Sequence, residues 1–291
     1  MSALPTSSPF VCLPFSPADI AGAHALSLAL RWPHRQEDWR FAAQAGGGFV
    51  VKEGERVIGT ALCWPYGEDG ATLGLVIVAP DRQGYGIGRL LMERLLDVLG
   101  PRMTVLHATP AGQPLYEKLG FKPIGLLHQH QGSDFRVPQV APLPGERLRP
   151  LEAGDMPRLI ELASRASGLD RSTLLPALVE AGQGVALTRG ETVIGFALLR
   201  PYGRGHAIGP VVAAADDGLH TQRAQWLVAD RLAANTGAFT RLDTPDEQGL
   251  GPWLESIGLP RVDTVVKMAR NGAPARDPDF HQYGIVSQAL G

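Results

Sequence analysis

Three glycines in alternation, Gly84, Gly86 and Gly88, flanked by Gln83 and Arg89, are the residues of this chain best placed to do chemistry. An apolar run, Leu73 to Val78, leads into them, and an amphipathic run, Leu90 to Leu99, leaves them. The order is strand, glycine turn, helix. Without side chains, the backbone N–H groups of such a turn converge on an anion, and the helix dipole favours negative charge there. The anion expected is a pyrophosphate. A dinucleotide fingerprint would need Gly-x-Gly-x-x-Gly, whereas the spacing here is Gly-x-Gly-x-Gly. A P-loop would need a lysine after its last glycine, and none follows Gly88.

Gln83-Gly84-Tyr85-Gly86-Ile87-Gly88, preceded by Val78-x-Pro80, closely resembles motif A of the GNAT superfamily of acyl-CoA N-acyltransferases, Gln/Arg-x-x-Gly-x-Gly/Ala. Downstream, Leu115-Tyr116-Glu117-Lys118-Leu119-Gly120-Phe121 is similar to the ending of the family's motif B, Leu-Tyr-Glu-Lys-x-Gly-Phe. The resemblance implies an N-acetyltransferase in which a primary amine attacks the thioester of acetyl-CoA directly, with no covalent enzyme intermediate. It also implies the site. Backbone amides from Gln83 through Tyr85, Ile87 and Arg89 would clamp the pyrophosphate, and the strand backbone from Val76 to Val78 would pair with the pantetheine arm. A strand irregularity near Val78 would free an N–H for the thioester oxygen. Tyr116 would lie near the sulfur as the acid, since a phenol of pKa about 10 can protonate a thiolate of similar basicity at little cost. One position departs from the family: Thr109 stands where many relatives carry an asparagine that contacts CoA. Arg82 and Arg89 are either phosphate partners or ordinary solvated arginines. A non-catalytic acyl-CoA sensor is the alternative use of the same motifs.

The base is not identified by type and spacing. An alkyl amine of pKa about 10.4 must lose a proton, which costs roughly 4–5 kcal/mol at pH 7. The strand before the turn carries no carboxylate. Candidates are His34, Glu37, Asp38, Glu68, Asp69 and His107; a water chain or an amine of lower pKa would also serve. Trp32, Trp39 and Trp64 either line an acceptor pocket or fill the core. The acceptor is left as a small-molecule or peptide amine.

The elements that must position these groups follow from periodicity. Ser16-Pro17 opens a helix running to about Leu30, and a short helix is expected at Gln36–Gln44. Phe49–Lys52 and Arg56–Trp64 form a hairpin around Glu53-Gly54. Leu73–Val78 is a strand, and Gly86–Leu99 a helix with Leu91, Leu95 and Val98 on one stripe. Met103–Ala108 is a strand, Gly112–Leu119 a helix and Phe121–His128 a strand. The fold class expected is α/β: two tandem GNAT-like domains, each a mixed, mostly antiparallel sheet flanked by helices.

Tandem organisation follows from an internal repeat. Gly54-Glu-Arg-Val-Ile-Gly-Thr-Ala-Leu-Cys-Trp-Pro-Tyr-Gly67 returns 136 residues later as Gly190-Glu-Thr-Val-Ile-Gly-Phe-Ala-Leu-Leu-Arg-Pro-Tyr-Gly203. The domains expected are 1–140, with the intact acyl-CoA motif, 141–275, degenerate, and a tail over 276–291. A proline-rich join spans Val137–Pro150. In the second copy the glycine triplet is replaced by Asp216-Asp217-Gly218-Leu219-His220, and Tyr116 by Leu254. Two carboxylates there oppose an anionic ligand. The tail Asn271–Gly291 reads as irregular, with an apolar part that should dock.

Composition sets the remaining bounds. The chain has 291 residues, 44% hydrophobic and 19% charged, with net charge −2; this is globular composition. No apolar run reaches the roughly 18 residues needed to span a bilayer. The N-terminus lacks a leader's basic and apolar regions. No basic run suggests nucleic acid, and Cys12 and Cys63 read as small buried residues. The expectation is a cytoplasmic, reduced, metal-free bacterial protein without membrane or nucleic-acid partners, monomeric or homodimeric.

Overall fold

The computed structural model describes residues 10–275 and 277–291. The first nine residues, where no leader is expected, lie outside the described residues. Two compact units divide the chain: one reaches to Trp64 and resumes over Leu73–Gly100, and the other takes Pro65–Thr72 and Pro101–Gly291.

In the first unit, β1 (Val11–Pro14) leads to α1 (Ile20–Ala29) and α2 (Gln36–Ala45), followed by β2 (Gly47–Glu53), β3 (Arg56–Tyr66), β4 (Gly70–Val78) and α3 (Ile87–Leu99), except that the end of β3 from Pro65 and the start of β4 to Thr72 belong to the second. β1 pairs antiparallel with β2, and β2 with β3. The β2–β3 turn relies on Gly54, whose φ of +58° suits glycine. A single 3-10 turn precedes α1, where the Asp19 carboxylate accepts from the Ser16 N–H at 2.8 Å. α3 buries Ile87, Leu91, Met92, Leu95 and Leu99. The i, i+4, i+8 ridge from Leu91 continues to Leu99, which turns Val98 outward, against the stripe expected. The Trp39 and Trp64 side chains are fully buried, and each indole N–H is paired: Trp39 donates to Ser27 Oγ at 3.1 Å, Trp64 to the Ala42 carbonyl at 2.9 Å. Both are core residues.

The second unit contains β5 (Met103–Ala108), α4 (Gln113–Lys118) and β6 (Lys122–Gly132), then β7 (Glu146–Pro150), α5 (Met156–Ser167), α6 (Leu174–Glu180), β8 (Gln183–Arg189), β9 (Thr192–Tyr202), β10 (Gly205–Ala214), α7 (His220–Ala233), β11 (Thr240–Pro245), α8 (Gly251–Ser256), β12 (Arg261–Arg270) and β13 (Phe280–Gly284). The repeat survives in fine detail. Gly190 turns the β8–β9 hairpin at φ +57°, as Gly54 does its counterpart. The Asp155 carboxylate accepts from the Glu152 N–H at 2.8 Å, 136 residues beyond the Ser16–Asp19 bond. The proline-rich join is shorter than its composition suggests, because β7 begins at Glu146. Pro150 is tolerated there because β7 is an edge strand.

The two copies exchange their last strands. The order β5-β12-β6-β11 places the second copy's final strand, β12, beside β5 and the first copy's final strand, β6, beside β11, with β6 and β12 paired antiparallel at the centre. His128 pins this junction. Its two ring nitrogens lie 2.9 Å from Thr264 Oγ1 on β12 and 2.8 Å from Asp246 Oδ1 after β11. The tail, read as irregular, contains a strand: β13 pairs antiparallel with β10. Tyr283, Ile285 and Val286 are buried there, which supplies the docking its apolar residues require.

Candidate active site

β4 carries the first part of the site. Val76 and Val78 are half-buried, while Leu75 and Ile77 between them are buried. Leu75 adopts φ +52°, a left-handed conformation rarely taken by a leucine. The irregularity expected near Val78 therefore lies three residues earlier. The preceding Gly74 is its sequence signal, since a glycine inside a strand pattern marks a bulge. The Leu75 carbonyl accepts from the fully buried Thr60 hydroxyl at 2.9 Å. β4 pairs with β5 through Gly70, Ala71 and Thr72 alone. Among the described residues no strand is paired to that edge from Leu73 to Val78.

The turn that follows is built as its residues suggest. Gly84 and Gly86 adopt φ +84° and +80°, which only glycine takes without strain. A side-chain atom at either would meet no neighbour within 4 Å, so conformation sets the requirement. Gly86 caps α3, whose first N–H groups have no intrahelical acceptor. Ile87 is buried beneath the turn and anchors it, Gly88 is half-buried, and Gln83, Tyr85 and Arg89 are exposed. Gln83 donates from Nε2 to the Val78 carbonyl at 3.3 Å. Both arginines have partners already: Arg82 forks onto Glu53 (2.8 and 3.2 Å), and Arg89 pairs with Glu93 at 2.7 Å.

Tyr116 belongs to the second unit. It sits on α4, 8% exposed, edge-on to Phe121 with ring centroids 6.2 Å apart. Gly112 makes room for it, since a side chain at Gly112 would meet the Tyr116 ring at 2.9 Å. Burial pushes the Tyr116 phenol up to about 12. Full transfer of its proton to a thiolate of pKa about 10 then costs about 3 kcal/mol, more than the equal-basicity argument allowed. What the group does readily is donate a hydrogen bond. Thr109 fixes the start of α4, its Oγ1 accepting from the Gly112 N–H at 3.3 Å.

The candidate bases are dispersed. Asp38 caps α2, its carboxylate accepting from the Arg35 N–H and pairing with the Arg35 guanidinium, both at 2.8 Å. Glu37 is exposed, 3.6 Å from Arg40. Glu68 and Asp69 are exposed in the turn before β4. His34 packs between Trp32 and Trp39, with centroids 5.8 and 6.2 Å away. His107 shares a 2.8 Å hydrogen bond with the Gln288 carbonyl, and burial, with Lys267 nearby, lowers it to about 4. So weak a base cannot deprotonate an alkylammonium.

The corresponding turn of the second copy has a different content. The Asp217 carboxylate accepts from the Leu219 N–H at 3.0 Å. The adjacent Arg223 guanidinium holds it down to about 2. Arg223 is 1% exposed and also binds Glu146 at 2.7 Å, while Arg189 bridges Glu146, Asp216 and Asp217. Like-charge repulsion, the expected obstacle to an anion, is thus largely cancelled by two guanidiniums, and occupancy takes its place. This network joins β7, β8 and α7, and no local spacing announces it.

Comparison with known proteins bears on both copies. Residues 44–123 and 159–284 each match a family described as an acetyltransferase (GNAT) domain. The chain is 30% identical over 225 residues, 76% of each sequence, to YitH of Bacillus subtilis, an uncharacterized N-acetyltransferase. Its fold is similar to that of a putative acetyltransferase from Pyrococcus horikoshii, with TM-score 0.80 and 18% identity over 100% of this chain and 99% of that one. It is also similar in fold to a tandem GNAT protein from the clavulanic acid biosynthesis pathway, with TM-score 0.64 and 15% identity over 91% and 100%.

Proposed function

The chain belongs to the GNAT acetyltransferase family, and from that premise we propose that its first copy moves an acetyl group from acetyl-CoA to a primary amine. The observation that carries this reading is the contrast between the two turns. In the first copy, Gly84 and Gly86 hold the left-handed conformation and leave the α3 amides without intrahelical acceptors. In the second, the N-cap residue of α7, Leu219, has its N–H taken by Asp217.

The residues fit acetyl-CoA in two respects. The α3 N-terminus suits a pyrophosphate, and the β4 edge from Leu73 to Val78, to which no strand is paired among the described residues, suits an amide-bearing pantetheine arm, as in β-strand addition. When bound, acetyl-CoA supplies the activated carbonyl. The left-handed φ at Leu75 redirects peptide groups on β4, a means of presenting an N–H to a developing oxyanion. Tyr116 keeps its proton at neutral pH and donates a hydrogen bond to charge developing on the leaving sulfur. Asp38 is ion-paired, Glu37, Glu68 and Asp69 are solvated, His107 is too weakly basic, and His34 is packed against two indoles; the amine enters neutral from solution or through water. The acceptor is then a small-molecule or peptide amine, and amines of lower pKa react best.

The test is thiol release from acetyl-CoA against an amine panel, with a Gly86→Asp control. Release that depends on an amine and is lost in the control is expected. Acetyl-CoA binding without turnover on any amine would overturn the enzyme reading and leave a non-catalytic acyl-CoA-binding module.

A further inference from the structure

We propose that residues 279–286 are a built-in occupant of the second copy's acyl-CoA cleft, so that the chain takes up a single acyl-CoA, in its first copy. The count of one rests on the function proposed above; the occupancy rests on geometry within the second unit alone.

β10 and β11 are the second copy's counterparts of β4 and β5. They pair in parallel only through His206↔Thr240 and Ala207↔Arg241. Beyond Ala207 the same edge of β10 is taken by β13, in the register Val211↔Gly284, Val212↔Gln282, Ala213↔His281 and Ala214↔Phe280. The segment is tied at both ends: the Ala215 N–H donates to the Asp279 carbonyl at 2.7 Å, and the Ile285 N–H donates to the Asp243 carbonyl of β11 at 3.0 Å. The inserted strand therefore bridges the two strands that part. A side chain at Gly209 would collide with the Ile285 carbonyl, so the backbones approach as closely as they can.

The chemistry matches what an acyl-CoA would offer. A pantetheine arm presents amides to a strand edge, and β13 presents peptide amides to that edge. A pyrophosphate presents oxygens to the amides of a helix N-terminus, and Asp217 presents a carboxylate to the Leu219 N–H at the start of α7. Tyr283 fills the space between, fully buried, with its hydroxyl on His220 Nδ1. The chain continues to be held beyond the strand: the Val286 carbonyl accepts from Arg200, and the Leu290 carbonyl from both Tyr66 and Arg171 at 2.8 Å. A ligand entering this cleft would have to break a β-ladder and expose Tyr283, Ile285 and Val286 to water.

The test is hydrogen–deuterium exchange on the full chain, with and without saturating acetyl-CoA, beside equilibrium dialysis. Amides of residues 281–285 should exchange at least about 100-fold more slowly than unstructured peptide, with no change when acetyl-CoA is added. Dialysis should give one site in the wild type and none in Gly86→Asp. Unprotected amides at 281–285, their deprotection by acetyl-CoA, a second site, or a site surviving in Gly86→Asp would each overturn the proposal. Protection gained at residues 83–90 reads the first copy separately. Its absence would count against the proposed function, while exchange at 281–285 without ligand still decides whether the cleft is filled.

Discussion

The Thr60 hydroxyl donates to the Leu75 carbonyl at 2.9 Å, holding in place the one residue of β4 whose φ is positive. A left-handed leucine costs about 1–2 kcal/mol. The bond from β3 offsets part of that cost and gives the Leu75 carbonyl a partner.

Thr60→Val keeps the shape and removes the donor. It leaves a buried carbonyl without its partner and should cost about 1–3 kcal/mol in urea unfolding. The bulge then relaxes, so KM for acetyl-CoA should rise with little change in secondary structure. A variant of unchanged stability and KM would show that Leu75 holds its conformation without Thr60.

Gly84→Ala tests conformation without steric collision, because a methyl there meets nothing within 4 Å while φ is +84°. The expected loss is about 1–2 kcal/mol of stability, with weaker acetyl-CoA binding by calorimetry. Wild-type affinity in this variant would mean that the turn's amides do not hold the pyrophosphate.

Tyr116→Phe should lower kcat by about 100-fold and leave KM for acetyl-CoA nearly unchanged. With the phenol near 12, Tyr116 stays protonated across the assay range, so wild type and variant should give pH–rate profiles of one shape. Log kcat/KM should climb with unit slope toward the pKa of the amine, near 10.4 for an alkyl amine. A bend near pH 6–7 would reveal a base on the protein. Stability carries the opposite sign: the unfolded tyrosine ionises near 10 and the folded one near 12, so this contribution is present below pH 10 and is lost as pH rises toward 12.

The turn at 83–89 and the helix bearing Tyr116 were legible because each is local: glycine spacing, a helix start and an apolar stripe lie within a dozen residues. The element order and the repeat were legible for the same reason. The strand exchange was not, because the alternation of β6 and β12 identifies a buried face without naming the neighbour. Nor was β13, whose partner on β10 lies some 70 residues upstream. Asp216 and Asp217 show the limit most clearly. As sequence they are bare carboxylates; their meaning depends on Arg189 and Arg223, which only the folded chain brings to them.

That pairing makes Arg223 a costly side chain to remove from the second copy. Arg223→Met keeps much of the volume but leaves Glu146, with 3% of its side chain exposed, with Arg189 as its remaining cationic partner at 3.1 Å. Breaking a buried pair in this way costs about 3–5 kcal/mol. The pH dependence provides the check. In the wild type the Asp217 carboxyl is held at about 2, below its unfolded value. Its stabilisation is therefore present above about pH 4 and is lost as pH falls toward 2. Without Arg223 the fold favours the ionised form only through the Leu219 N–H and Arg189, so the midpoint of urea unfolding should fall less between pH 4 and pH 2 than in the wild type. Equal acid slopes in the two proteins would show that Arg223 does not hold Asp217 at the start of α7, and that another group keeps this turn filled.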